Sequence, residues 1–182
     1  RSACRWLVRA LLARGATFRF VAEAVREPLR AELDAVLGRE LDRRSLVRPP
    51  ALDVPAIDED CRRSWRQRLA PSQGGALLVV VVGRLVRGKR VDLAIEAAAR
   101  LYPCPTLVII GDGPERSRLH ALAQRHALRC HFAGQRPRAQ ALAMMAAADV
   151  LLHPAAEEGA PTVVREARAL GLSHARFLAS GC

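Results

Sequence analysis

The sequence predicts an α/β protein built on a doubly wound parallel sheet, and three observations carry that prediction. Between Leu77 and Gly171, strand-like and helix-like segments alternate four times with short connections. The strand-like segments are continuous apolar runs, as expected where helices cover both faces of a sheet. The helix-like segments keep their apolar residues on one stripe, at the spacing of an amphipathic helix.

The first strand is "LLVVVVG", residues 77–83, rich in β-branched side chains and ending in Gly83. A basic loop follows, then "VDLAIEAAARL", a helix with Leu93, Ile95 and Ala98 toward one face. "YPCP" breaks it, and "TLVIIG" is the second strand. "DGPE" is a turn with Pro114 suited to a first helical position. "RSRLHALAQRHAL" is a helix with Leu119, Leu122 and Ala123 inside and arginines outside. "CHFAG" is a short third strand, "AQALAMMAAA" a helix, "DVLLHP" a fourth strand, and "TVVREARAL" a last helix stopped by Gly171.

Residues 1–48 read as a separate piece: a helix in "CRWLVRALLARG", a strand in "TFRFVA", and a helix in "EAVREPLRAELDAVLG" that Pro28 must begin or kink. "RSLVRPPALDVPAIDED" is rich in Pro and Asp with little periodicity and reads as a linker. The tail after Gly171, "LSHARFLASGC", carries no strand-like run.

The bulk numbers bound the function. A chain of 182 residues with 51% hydrophobic and 26% charged residues is of globular composition, and at this length it hides roughly 70% of its unfolded surface. The net charge of +11 invites a nucleic-acid reading, but Lys89 is the single lysine among 29 basic residues and the arginines are scattered. A clustered basic face is what nucleic-acid binding needs, so none is expected. Five cysteines at long spacings, with no C-x-x-C pair, argue against a zinc site or a disulfide framework and for a reducing compartment. No run approaches the ~20 apolar residues that cross a bilayer.

Three features fall at the carboxyl ends of the predicted strands, where open α/β sheets bind ligands. "GRLVRGK" places Arg84 and Lys89 around a loop that precedes a helix. A planar fork and a point charge beside a helix N-terminus suit a diphosphate. "GDGPE" is a tight turn that lacks the G-x-G-x-x-G spacing of a dinucleotide fingerprint. "HPAAEEGAPTVVREARALG" keeps the chain irregular through Pro154, Gly159, Ala160 and Pro161 before Thr162 begins or caps a helix. Its two carboxylates, Glu158 on the loop and Glu166 about one turn into the helix, share one mouth beside the cationic pair. That placement suits acceptors for sugar and ribose hydroxyls better than an acid and a base flanking a bond.

These residues carry a resemblance. "VVGRLVRGKRVDLAIEAAARL", "LVIIGDGPERSRLHALA", "HFAGQ" and "AADVLLHPAAEEGAPTVVREARALG" resemble, in order and spacing, the C-terminal donor-binding domain of retaining glycosyltransferases of the group-1/family-4 type, with the GT-B fold. The pair Glu158-x7-Glu166 looks like that family's signature. The resemblance implies that residues 1–48 are a remnant of the N-terminal acceptor domain, 49–74 an interdomain linker, 75–171 the nucleotide-sugar-binding domain, and 172–182 a divergent tail of a partial chain. It implies that Arg84 and Lys89, beside Gly83, neutralise the leaving diphosphate of a nucleotide-sugar such as a UDP- or GDP-hexose. Glu166 would bind the ribose hydroxyls, and Glu158 with the backbone of Gly159, Ala160, Pro161 and Thr162 the donor sugar and phosphates.

The implied reaction is metal-independent, needs no cofactor, and transfers hexose with retention to a lipid, polysaccharide or small-molecule hydroxyl. The implied placement is cytoplasmic, with peripheral membrane contact through the N-terminal domain. Where the family has Lys-Gly in the phosphate loop this chain has Lys89-Arg90, which tightens the loop. The competing readings are donor binding without turnover and a two-domain epimerase acting on nucleotide-sugars.

Overall fold

The computed structural model describes residues 2–71, 77–155 and 161–176. The chain divides into two compact units, the first ending at Ala51 and the second beginning at Leu52.

The first unit holds α1 (Ser2–Ala13), β1 (Phe18–Phe20), α2 (Glu23–Ala31), α3 (Ala35–Arg43) and β2 (Ser45–Val47). The two strands pair in parallel, Phe18 opposite Ser45 through Phe20 opposite Val47. A small core of Val8, Leu12 and Leu41 packs against Phe18, Phe20, Leu29 and Leu37. The single helix expected over residues 23–38 is two helices. Asp34 starts the second by capping it: its carboxylate accepts from the N–H groups of Val36 and Leu37 at 3.1 and 3.0 Å. Those bonds, that of Leu37 foremost, hold the Asp34 carboxyl below its ordinary range. Pro28 lies inside α2, where it has no N–H to donate to the preceding turn.

The second unit is a five-stranded, wholly parallel sheet in the order β5-β4-β3-β6-β7. Its strands are β3 (Leu78–Val82), β4 (Thr106–Ile110), β5 (Cys130–Gly134), β6 (Val150–His153) and β7 (Ser173–Arg176). Each apolar run serves two cores. Val79, Val81, Leu107 and Ile109 point to the face covered by α5 (Val91–Ala99) and α6 (Arg116–Arg125). Leu78, Val80, Val108 and Leu151 point to the other face, covered by α7 (Arg138–Ala146) and α8 (Thr162–Ala169). That two-sided burial is why these strands read as unbroken hydrophobic runs. The chain builds outward from β3 to β5, crosses back through α7, and continues from β6 to β7, so the strand order reverses between β3 and β6.

Besides the broken helix, three elements depart from the sequence expectation: β2, inside the stretch from Arg44 that reads as linker, and two in the second unit. The tail after Gly171 contains β7, paired with β6 from Val150 opposite Ser173 to His153 opposite Arg176. A strand on the rim of a sheet needs only main-chain groups to pair, so "SHAR" carries no side-chain signal. Within residues 49–74, expected as linker, stands α4 (Glu59–Leu69), with Leu69 buried and Trp65 packed on the second core. Of its four arginines, Arg63 pairs with Asp60 and Arg68 lies over the Trp65 ring, while Arg62 and Arg66 cap other helices. Arg62 donates to the carbonyls of Ala146 and Leu170 at 3.2 and 3.3 Å, at the ends of α7 and α8. Arg66 donates to Ala147 at 3.2 Å and pairs with Asp149 at 2.8 Å. Asp149 in turn accepts from the Leu78 N–H at 2.7 Å, fixing the start of β3. Among the described residues no helix is long and apolar enough to cross a membrane.

The carboxyl ends of β3, β4 and β5 are laced by backbone bonds. The N–H of Gly83 donates to Ile110, that of Leu85 to Asp112, that of Glu115 to Leu85 and that of Gly111 to Gly134, all within 2.9–3.0 Å. At Gly111, φ is +141°, and a Cβ there would collide with the carbonyl oxygen of Gly83. Gly111→Ala should therefore lower the unfolding free energy by about 3 kcal/mol, measured by urea denaturation. Gly38→Ala, at a helical glycine with nothing within 4 Å of the added Cβ, should change it by at most about 1 kcal/mol, in the stabilising direction. Equal effects at the two positions would contradict the close approach of the loops.

Candidate functional site

The site grows from the point where β3 ends. Gly83 turns the chain out of the sheet, and Leu85, fully buried, drives the loop back into the core. This anchor makes the next five residues a short excursion: a 3-10 turn over Arg87–Lys89, then Arg90 in the left-handed region at φ +47°, then α5. Arg84 is thus exposed on one side of a buried leucine, and Lys89 half-buried on the other. Burial, and after it the charge of Arg84, push the Lys89 amine below its ordinary value. Two basic side chains on one loop at a strand end, one of them partly desolvated, are a chemistry that suits an anion.

Beside Arg84 opens a cleft of about 360 Å³, lined among the described residues by Val82, Arg84, Ile110, Asp112, Arg136 and Ala141, with Gly83, Gly111 and Gln135. The volume is in the range of small-molecule sites. Its floor is apolar strand ends; its rim is basic. The acid there, Asp112, is held internally: it accepts from the Gly113 N–H at 2.7 Å and from Arg116 at 3.0 Å. Arg84 and Arg136 both line the opening. The "GDG" turn itself is structural, since a Cβ at Gly113 would lie 2.5 Å from the Leu85 carbonyl oxygen.

Across the reversal point, Pro161 precedes α8 and Thr162 is its first residue, without a side-chain capping bond. Val164 and Ala167 face the core. Glu166, with 12% of its side chain exposed, receives Arg138 from the start of α7: the guanidinium Nε and Nη2 both lie 3.0 Å from Oε1. Nη2 also donates to the carbonyl of Asp53 at 2.6 Å. Glu158, Gly159 and Ala160 lie outside the described residues. Among the described residues no cluster of three or more His, Cys, Asp or Glu could hold a metal ion.

Of the expected residues, the structure therefore brings Gly83, Arg84 and Lys89 to one loop at a strand end, and sets Pro161, Thr162 and Glu166 at the start of the helix after β6. Sequence reasoning missed Gln135, Arg136 and Arg138. For Gln135 and Arg136 the signal was there to read: "QR" follows the strand glycine Gly134 and precedes a helix, the same grammar as "GRLVRGK".

Comparison with known proteins agrees with this architecture. Residues 63–173 match the model of the family described as Glycosyl transferases group 1. The chain is 42% identical over 113 residues to TuaC of Bacillus subtilis, described as a teichuronic acid biosynthesis glycosyltransferase, covering 62% of this chain and 27% of that protein. It is 32% identical over 162 residues to the 2-deoxystreptamine glucosyltransferase of Streptomyces kanamyceticus, covering 85% of this chain and 39% of the other. Among solved structures, WaaG, a glycosyltransferase involved in lipopolysaccharide biosynthesis, superposes with a TM-score of 0.71 at 26% identity over 87% of this chain and 43% of its own. HepE of Anabaena, solved with UDP and glucose, gives 0.77 at 21% identity over 95% of this chain and 47% of its own. The chain thus spans less than half the length of each of these proteins, and the fold is that of the C-terminal, Rossmann-like half of a GT-B glycosyltransferase.

Two outcomes test the loop. Because Lys89 is the single lysine, its ¹³Cε resonance titrates alone. Its midpoint should lie below 10.5 and should rise part of the way back in Arg84→Met, part only, since burial is the larger cause. At neutral pH the amine is protonated folded and unfolded, so its burial cost is fully present there. Stability should rise with pH between the folded midpoint and 10.5, where the unfolded chain still holds the proton. At Arg90, the left-handed backbone costs roughly 1–2 kcal/mol for a residue with a Cβ. Arg90→Gly should be neutral to stabilising by up to about 1 kcal/mol after the glycine's own entropy cost, whereas Arg90→Val should destabilise. Thermal unfolding with the two variants shifted in the same direction would contradict that conformation.

Proposed function

We propose that this chain, which belongs to the group 1 glycosyltransferase family, binds the nucleoside-diphosphate sugar donor of a retaining hexosyltransferase at the reversal point between β3 and β6. The observation that carries this is the Arg84–Lys89 loop, which sets two basic side chains beside a cleft at the carboxyl ends of the strands. The arrangement suits a group whose negative charge grows as the bond from sugar carbon to phosphate oxygen breaks.

In this reading the donor's diphosphate sits across Arg84 and Lys89, with the backbone N–H groups before α8 adding further donors. As the glycosidic bond to the leaving phosphate lengthens, the sugar takes on oxocarbenium character and the two cations stabilise the departing diphosphate. The acceptor oxygen bonds to the same carbon from the same face, and the hydroxyl proton ends on the leaving diphosphate. Glu166 accepts the ribose hydroxyls, and Glu158 those of the sugar. The relatives' names, a glucosyltransferase and a teichuronic acid glycosyltransferase, support a hexose-class donor. A second reading is donor binding without turnover by these residues alone.

Calorimetry with a panel of nucleoside diphosphates should find weak binding of UDP or GDP by the 182-residue chain. Glu166→Ala should remove most of it, and Arg84→Ala with Lys89→Ala should weaken it by tenfold or more, since each lost charge-assisted bond costs roughly 1.5–3 kcal/mol. A folded chain that binds no diphosphate would reject the assignment. Mixing donor with a panel of acceptor hydroxyls separates the two readings, because turnover excludes binding alone.

A further inference from the structure

We propose that Arg138 is a positioning residue that sets how strongly this site distinguishes ribose from deoxyribose, by holding Glu166 with one carboxylate oxygen occupied and the other open to a ligand hydroxyl. The inference rests on the reading of Glu166 as the ribose acceptor and adds to it a residue outside the expected set.

The geometry separates this pair from an ordinary surface salt bridge, whose worth is small because both partners are free to move and are screened by water. The Arg138 guanidinium is fixed from a third direction: Nη2 donates to the Asp53 carbonyl at 2.6 Å. Asp53 belongs to a segment whose neighbours Val54 and Ile57 pack on the core beneath α7 and α8. The arginine is therefore oriented by main chain before it meets the carboxylate. Its Nε and Nη2 then converge on Oε1 alone, each at 3.0 Å. A fork gripping both oxygens would have consumed the carboxylate. Here, among the described residues, no other side chain or N–H donates to the Glu166 carboxylate, and Oε2 is left over.

The Glu166 side chain, with 12% exposed, has lost most of its water. A partly desolvated carboxylate oxygen with no donor is a strong acceptor held in one orientation. An unheld glutamate would have to lose its rotamer freedom on each binding event. The location suits a positioning role. Arg138 opens α7, two residues after Arg136 and one turn before Ala141, both of which line the basic cleft.

The test is a ratio. Calorimetry with UDP and with 2′,3′-dideoxy-UDP is run on wild type, Glu166→Gln, Arg138→Ala and Arg138→Lys, all as the 182-residue chain. Wild type should prefer UDP by about tenfold or more, the scale of a hydroxyl donating to a charged acceptor. Arg138→Ala should bring the preference to within about threefold while leaving dideoxy-UDP affinity nearly unchanged. Arg138→Lys, with one nitrogen in place of two, should lie between. Both ligands carry the same diphosphate, so a lost positive charge moves both affinities equally and cancels. A reduced folded fraction cancels in the same way. Loss of the preference in Glu166→Gln with full retention in Arg138→Ala would overturn the role of Arg138 and leave the ribose reading standing. Absence of any preference in wild type would overturn both.

Discussion

The approach of two loops to van der Waals contact, at Gly83 and Gly111, is the constraint on which the rest of the second unit depends. It brings the carboxyl ends of β3 and β4 close enough for Leu85 and Asp112 to bond through their backbones, and Glu115 to bond back to Leu85. With Leu85 pinned in the core, Arg84 and Lys89 have nowhere to go but the rim. The electrostatics of the candidate site are therefore a product of packing: the sheet decides where the cations sit before any ligand is considered.

Arginine has three separate roles in this chain, and the net charge of +11 conceals them. On α4, Arg62 and Arg66 cap the carbonyl ends of α7 and α8 and hold that helix to the sheet. In the first unit, Arg30 binds Asp42 and Arg44 binds Glu40 across helix surfaces. Others, Arg84 and Arg136 among them, face an opening. A charge total says little about function when its arginines divide among helix-end hydrogen bonds, surface ion pairs and a cleft rim.

What was legible in the sequence follows the same physics. β3 and β4 were plain because burial on both faces leaves only apolar residues, and α5 and α6 because one face of each is wet. The loop residues Gly83, Arg84 and Lys89 were found from a rule about strand ends. β7 was invisible because it pairs by main chain at the rim. α4 was invisible because its docking surface is guanidinium and carries no apolar stripe of the usual width. The break between α2 and α3 was hidden in "ELDAVL", where Asp34 reads equally well as a helical surface residue or as a cap. Arg138 escaped because its partners, Asp53 and Glu166, are distant in the chain, and no local pattern announces a contact across 85 residues.

The reversal of strand order has a kinetic consequence. β3, "LVVVV", gains one neighbour from the next βα unit, but its other edge pairs with β6, whose partner residues Val150 and Leu151 lie 71 positions downstream of Val79 and Val80. Until the crossover through α7 is complete, a valine-rich edge of 5 residues stands open. Such an edge is the kind that templates intermolecular pairing during slow assembly. The Asp149 carboxylate on the Leu78 N–H, braced by Arg66, closes the first rung of that seam. The salt bridge that secures α4 to the sheet thus also ties down the end of the last seam the central strand acquires.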